Sequence, residues 1–335
     1  MALLQSLSTP PVLLSLGVVG ASAVYWGRKF FLGTYCPDHL KQGNLKGQVV
    51  LVTGASKGGI GYETVKALYL MGATVVMAVR DVSRSEKEKK ELEIESESST
   101  VKGQLIVMKV ELDDLESVRE FSKEFLSKFD RLDILVNNAG IGGMTGISKQ
   151  GIEIAFSVNH LSHFLIVHYL RQLIIDTSIK YSKECKIINV SSMAHAYAKS
   201  LKFTKDEISM SDTSVNAYGQ SKLCNVLFTK SLARQLENTK IGCYCLHPGA
   251  VNTNVFRHLP YYVSLVLNGL KWYFFKTPES GAQTQIYLAL EKMEKLSSGS
   301  YYDDCKKANE YELSKSVELQ DQLWNLSEEL IKDFI

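Results

Sequence analysis

Tyr218 stands four residues before Lys222 in the run VNAYGQSKLCN. On a helix that spacing is about one turn, so the phenol and the ammonium share a face. Such a pair can move protons. A phenol ionises near pH 10, and a cation beside it favours the phenolate and brings it toward useful acid–base work at neutral pH. Taken alone, the pair fits a surface helix as well as a catalytic one. A second chemical feature is TGASKGGIG, residues 53–61. It follows an apolar run and opens a segment with helical spacing, where glycines let backbone approach a pyrophosphate seated at a helix N-terminus. It is neither G-x-G-x-x-G nor a P-loop, since Gly59 is followed by Ile60 rather than Lys-Ser or Lys-Thr. A third is Arg80, which closes the next apolar run, ATVVMAVR. A dinucleotide with a free 2′-hydroxyl is usually met there by an acid, whereas an arginine, helped by Lys57, suits a 2′-phosphate. The other reading of Arg80 is a solvated strand end.

These residues need a scaffold that brings them together. From Gln48 onward, apolar runs alternate with helical patterns: QVVLVTGAS, ATVVMAVR, GQLIVMKVEL, LDILVNNAG, CKIINVSS and KIGCYCLHPG read as six strands. Between the fourth and fifth, GIEIAFSVNHLSHFLIVHYLRQLI reads as one long helix. Largely apolar strands separated by helices imply an α/β fold, a Rossmann-type doubly wound parallel sheet with helices on both faces. A chain of 335 residues with near-average composition can bury one such core without a second domain. A net charge of +2 gives no reason to expect a nucleic-acid partner. The six cysteines form no C-x-x-C pair and read as free thiols of a reducing compartment. His160, His163 and His168 share a helix without metal-site spacing and read as core or capping histidines.

Residues 1–27 carry no charged side chain, and the apolar stretch PVLLSLGVVGASAVYW is followed by Arg28 and Lys29. A cleaved signal peptide has the opposite order. The segment reads as a membrane anchor that spans or lies in a bilayer, with the rest of the chain on the cytoplasmic side. The expected organisation is an anchor over residues 1–35, a linker over 36–47 and a single domain over 48–335.

The motifs TGASKGGIG, NNAG at 137–140, VNHLSHF at 158–164, NVSS at 189–192, Tyr218-x-x-x-Lys222 and HPGAVNT at 247–253 fall in the order of the short-chain dehydrogenase/reductase family. The chain resembles its retinol dehydrogenase branch over essentially its whole length. That branch shares the leading apolar stretch, AVRD at 78–81, SKLCNVLFTKSLARQL, KTPESGAQT at 276–284 and the closing LW-x-LSEEL. The resemblance implies an NADP(H)-dependent enzyme interconverting a lipophilic alcohol and its aldehyde or ketone, with hydride passing between nicotinamide and carbonyl carbon. It makes Tyr218 the acid/base and gives Lys222 two tasks, lowering the phenol pKa and holding the nicotinamide ribose. Ser192 matches the serine that hydrogen-bonds the substrate oxygen, with Ser191 one position away. Asn159 matches the asparagine that holds a relay water. Gly54, Ser56, Lys57, Gly59, Ile60 and Gly61 match the cofactor turn, with Arg80 at the 2′-phosphate. Glu111 and Leu112 lie beside the adenine, and Asn138, Ala139 and Gly140 along the cofactor; the asparagine of NNAG equally suits sheet stabilisation. Pro248, Gly249, Val251 and Thr253 match the nicotinamide loop.

Two departures stand out. The glycine turn holds one residue more than TGxxxGIG, which leaves open whether Gly58 or Gly59 takes the middle role. Glu111 replaces the usual aspartate. The apolar, aromatic segment 255–275 falls where this family covers its substrate and suits a long lipophilic one. Retinol and retinal are the substrate pair the branch implies, at an endoplasmic reticulum membrane or lipid droplet surface, with a homo-oligomer open. The rivals are the same chemistry on a polyprenal, sterol ketone or lipid aldehyde, and a non-catalytic NADP(H)-sensing membrane protein.

Overall fold

The computed structural model describes residues 27–28, 31–198, 214–251, 273 and 275–335. Its centre is an eight-stranded sheet in the order β3-β2-β1-β4-β5-β6-β7-β8. The six expected strands are β1 (Val49–Thr53), β2 (Thr74–Val79), β3 (Gln104–Lys109), β4 (Ile134–Asn137), β5 (Cys185–Val190) and β6 (Ile241–His247). Two more, β7 (Tyr301–Asp303) and β8 (Lys306–Lys307), extend the edge, with β8 the one antiparallel member among the described strands. The strands are apolar throughout because both faces are covered. Alternate residues serve the two sides: Leu51, Val76, Leu135, Ile187 and Cys243 join one core, and Val52, Met77, Val136, Ile188 and Tyr244 the other.

The longer helices are α1 (Ile60–Leu70), α2 (Val82–Glu95), α3 (Leu115–Lys128), α4 (Ser162–Tyr181), α5 (Ser214–Gln235), α6 (Pro278–Leu290) and α7 (Val317–Ile331). Asp81, Asp114, Thr277 and Ser316 cap α2, α3, α6 and α7 through their side chains. The expected long helix from Gly151 is not continuous. One turn at Ile154–Phe156 gives way to a π turn over Ser157–Leu161 before α4 begins. Strand order reverses between β1 and β4, and the carboxyl ends of β1, β4, β5 and β6 open onto the crevice where α/β sheets bind ligands.

The stretch expected as linker and the end of the stretch expected as anchor are both packed in part. Cys36 and Leu45 are buried. The Thr34 amide and hydroxyl donate to Asp304 at 2.9 and 3.3 Å, and the Cys36 amide donates to Gln283. Arg28 is buried too, its guanidinium donating to the carbonyls of Tyr273 and Phe275 at 3.2 and 2.6 Å. Residues 1–26, Thr253 and most of segment 255–275 lie outside the described residues. Among the described residues no helix is long and apolar enough to cross a membrane.

Candidate active site

At the end of β1 the chain turns through Gly54 with φ +68. A Cβ there would sit 2.8 Å from the Ala139 Cα, and one on Gly61 would sit 2.4 Å from the Asn138 amide nitrogen. Both glycines are therefore required by the close approach of the NNAG turn. Of the two glycines left open, Gly59 is the one that begins the helix. It is the N-cap of α1, extended at φ −110, while Gly58 takes up the extra residue at φ +86 with open space around it. No side chain caps α1. Its first amides and the positive end of its dipole face the crevice, which suits a pyrophosphate.

Arg80 is exposed at the end of β2. Lys57, its expected helper, forms an ion pair with Glu91 at 2.6 Å, and Glu88 accepts the Lys57 amide. Glu111 turns away to Lys109 at 2.9 Å, and that hydrogen bond holds its carboxyl below the usual range. The Leu112 carbonyl accepts from Ser162. Asn138 ties the ends of β4 and β1 to α6: its amide nitrogen donates to the carbonyls of Thr53 and Gly54, and its amide oxygen accepts from Gln285. Gly249, beyond Pro248, has φ +89, and Val251 bridges Lys276.

The carboxyl end of β5 separates the two serines. Ser191 is buried and donates to the Lys222 carbonyl at 2.7 Å, fastening α5 to the sheet. Ser192 turns the other way, accepts the Ala194 amide and hydrogen-bonds the Tyr218 phenol. The structure thus brings Ser192, Tyr218 and Lys222 together, with the Lys222 Nζ 5.6 Å from the Tyr218 ring centroid and donating to the Val190 carbonyl. Asn159 lies in the π turn. Its amide hydrogens go to the Ile141 carbonyl and the Ser221 hydroxyl, and its Oδ1 accepts the Ile141 amide. A Cβ on Gly140 would lie 3.1 Å from the Lys222 Nζ and 3.2 Å from the Asn159 Oδ1, so the glycine keeps the space between them open.

Burial raises the Tyr218 phenol above its ordinary range, and the Ser192 hydrogen bond pulls it back in part. The expected lowering by Lys222 is not what dominates in the protein alone. Burial instead lowers Lys222 itself to about 8.

Two histidines contribute more than core packing. Thr53 Oγ1 accepts the amides of Asn138 and Ala139 at 2.9 and 3.0 Å, so its own hydrogen must go to His163 Nε2 at 2.9 Å. His163 Nδ1–H then donates to the Asn159 carbonyl at 3.1 Å. Burial keeps this ring neutral, with a pKa near 4. One chain of hydrogen bonds therefore runs from the end of β1, where the glycine turn begins, to the π turn, and the four-residue spacing of Asn159 and His163 was its visible signal. The other histidine, His195, had no sequence signal beyond its place after NVSS. All six cysteines are free and buried.

Residues 48–261 match the family model for short chain dehydrogenase, and the chain belongs to that family. Among curated relatives, mouse retinol dehydrogenase 12 is 38% identical over 307 residues, 91% of this chain and 92% of its own. Human retinol dehydrogenase 14 is 38% identical over 301 residues, 86% of this chain and 88% of its own. Of solved structures, an uncharacterized protein from Mycobacterium paratuberculosis is 27% identical with a TM-score of 0.66, over 87% of this chain and 95% of its own. Pseudomonas aeruginosa RhlG, solved with NADP, gives 24% and 0.60 over 77% and 94%. A Brucella melitensis 3-ketoacyl-(acyl-carrier-protein) reductase, solved with NADH, gives 23% and 0.59 over 78% and 97%. The last two share the fold. The chain is an oxidoreductase of the short-chain family with retinol dehydrogenase relatives.

Proposed function

We propose that this protein is a membrane-associated, NADP(H)-dependent oxidoreductase that interconverts a lipophilic alcohol and its aldehyde or ketone, with retinol and retinal as the substrate pair. The observation that carries the reading is the meeting of Ser192, Tyr218 and Lys222 at the crevice that the glycine turn opens. The residues present fit a dinucleotide. The α1 amides are uncapped, Gly54 and Gly61 leave no room for a side chain, and Gly140 keeps the path beside Lys222 clear. When bound, NADP(H) would supply or accept the hydride.

Ser192 would donate to the substrate oxygen and Tyr218 would protonate it. With its pKa raised by burial, the phenol holds the proton that carbonyl reduction needs, and in the reverse direction it would take the proton from the alcohol. Lys222 would hold the ribose and replenish the proton. Both amide hydrogens of Asn159 are taken, so only its oxygens are left to hold a relay water. Arg80 would meet the 2′-phosphate, with Lys57 neutralised by Glu91. Pro248, Gly249, Val251 and Thr253 would line the nicotinamide, and Glu111 and Leu112 the adenine.

A lipophilic substrate is supported by the retinol dehydrogenase relatives and by apolar side chains on the loops after β4 and β5: Ile147, Met193 and Tyr197 are 63%, 55% and 71% exposed. Residues 1–35 would anchor the chain at an endoplasmic reticulum or lipid droplet surface with the domain in the cytoplasm.

The test is turnover of all-trans-retinal against a polyprenal, a sterol ketone and a straight-chain aldehyde, each with NADPH and NADH. Retinal with NADPH should be the best pair. A better rate on another carbonyl would reassign the substrate, and no turnover of any would leave a nucleotide-binding protein.

A further inference from the structure

Three segments far apart in sequence meet at His195, and none of the roles above uses it. The ring lies in the 3-10 turn Met193–Tyr197 that follows Ser192, and it is buried. The backbone amide of Tyr311 donates to its Nε2 at 3.1 Å. An amide N–H can only donate, so Nε2 carries the lone pair, and in the neutral ring the hydrogen is on Nδ1. That Nδ1–H donates to the Ser192 carbonyl at 2.6 Å. The same carbonyl accepts the His195 backbone amide at 3.1 Å, so both its lone pairs are engaged. The ring face packs on Tyr301 at 4.7 Å. The segment that supplies Tyr311 is itself tied down, because neighbouring Glu310 pairs with Lys230 of α5 at 2.8 Å.

We propose that His195 is a positioning residue for the reaction: fixed as the Nδ1–H tautomer by the Tyr311 amide, it holds the Ser192 carbonyl and so aims the Ser192 hydroxyl at Tyr218 and the substrate oxygen. The C-terminal segment thereby completes the site. The proposal rests on the reading of Ser192 as the donor to that oxygen.

A pH dependence follows. Protonation places a second hydrogen on Nε2, facing the Tyr311 N–H, and two donors cannot share that contact. Around the ring, the Ser192 carbonyl and Glu310 favour the cation, His247 is a neighbouring ring whose own pKa His195 helps to lower, and Tyr301 lies against it. Burial is the largest influence and lowers the pKa below its ordinary value. The functional neutral ring is therefore present near neutrality, and activity is lost as pH falls through the lowered pKa.

Tyr311 has φ −63, which proline adopts without strain. Tyr311→Pro removes the N–H together with the phenol ring, and Tyr311→Ala removes the ring alone, so their difference isolates the amide. With all-trans-retinal and NADPH as probes, Tyr311→Pro should lower kcat about tenfold relative to Tyr311→Ala, the size of one lost positioning hydrogen bond. It should leave the KM for NADPH within about twofold, since its effect lies at Ser192 and not at the cofactor turn. It should also move the acid limb of the pH–rate profile upward. His195→Asn, which keeps a donor for the Ser192 carbonyl, should retain several times the kcat of His195→Leu. Equal kcat and equal acid limbs in Tyr311→Pro and Tyr311→Ala would overturn the proposal. If Tyr311→Pro does not fold, equal kcat in His195→Asn and His195→Leu would do so. Ser192→Ala, measured alongside, separates the two levels. Near-normal turnover there removes the reading of Ser192, and the proposal with it. Loss of turnover there, with equal Tyr311 variants, removes the proposal alone.

Discussion

Gly54, Gly59 and Gly61 form one end of the crevice, and Ser192, Tyr218, Lys222 and Asn159 the other. At the glycine end, the site consists of space: a Cβ on Gly61 would lie 2.4 Å from the Asn138 side chain and 2.6 Å from the Gly54 carbonyl. What would bind a cofactor there is backbone, aimed by the turn itself. At the reaction end, the site consists of side chains held by hydrogen bonds: Asn159 to the Ser221 hydroxyl, Lys222 to the Val190 carbonyl and Ser192 to the Ala194 amide. The difference teaches where each end is vulnerable. Substitution at the glycine end should damage folding and cofactor binding together. Substitution of Ser192 or Tyr218 at the reaction end should remove turnover and leave cofactor binding intact.

The sharpest test of that contrast is Tyr218→Phe. It should lower kcat at least about 10²-fold, the scale of losing a general acid. NADPH binding, followed by quenching of protein fluorescence, should stay near wild type, and retained turnover would take Tyr218 out of the mechanism. At the other end, Gly61→Ala should destabilise the protein by about 1–3 kcal/mol through overpacking and raise the KM for NADPH. Gly58→Ala, with open space around it but a left-handed backbone, should cost only about 1–2 kcal/mol. Thermal unfolding with and without NADPH checks both, and equal effects would mean that crowding against Asn138 is not what fixes Gly61.

Arg80→Ala should weaken NADPH about tenfold, the lower end of a charge-assisted contact at an exposed side chain, and leave NADH nearly unchanged. Lys57→Ala should do less, because Glu91 already occupies that ammonium. Equal catalytic efficiency of the wild type with both cofactors would show Arg80 to be a solvated strand end.

The smallest effect expected is with pH. Lys222 is held at about 8, below the ordinary lysine value, so its charge is present below pH 8 and lost above. Carbonyl reduction should therefore fall as pH rises through about 8. Stability should move the other way. Below pH 8, the folded protein bears the full penalty of a buried ammonium, and between pH 8 and the unfolded value near 10.4 the unfolded chain binds more protons, so this group's contribution improves with rising pH. A reduction rate that is flat to pH 10 would contradict the assignment.

The chain made much of this legible before any coordinates. Apolar runs such as VVLV and ILVN announced a sheet buried on both faces, and alternate residues of each do enter opposite cores. Strands β7 and β8, three and two residues long, are too short to show a pattern. Ser191 and Ser192 could be separated only by seeing which one faces α5, and Gly58 and Gly59 only by their dihedral angles. The π turn was invisible because the apolar spacing around it reads as ordinary helix. His195 was missed because its partner is a backbone amide, 116 positions away, and a backbone amide leaves no mark in composition.

The π turn at Ser157–Leu161 sets durability against use. Such a turn is an insertion into a regular helix, frequent where function needs the altered aim. Deleting one residue would let Ile154–Tyr181 run as a single α-helix, a more regular and locally more favourable object. It would also rotate Asn159 and everything before it by about 100° relative to α4, withdrawing the amide that ties Ile141 to Ser221. A population of variants selected only for survival on heating would therefore drift toward closing this turn, and the first property lost would be the one for which the turn is held open.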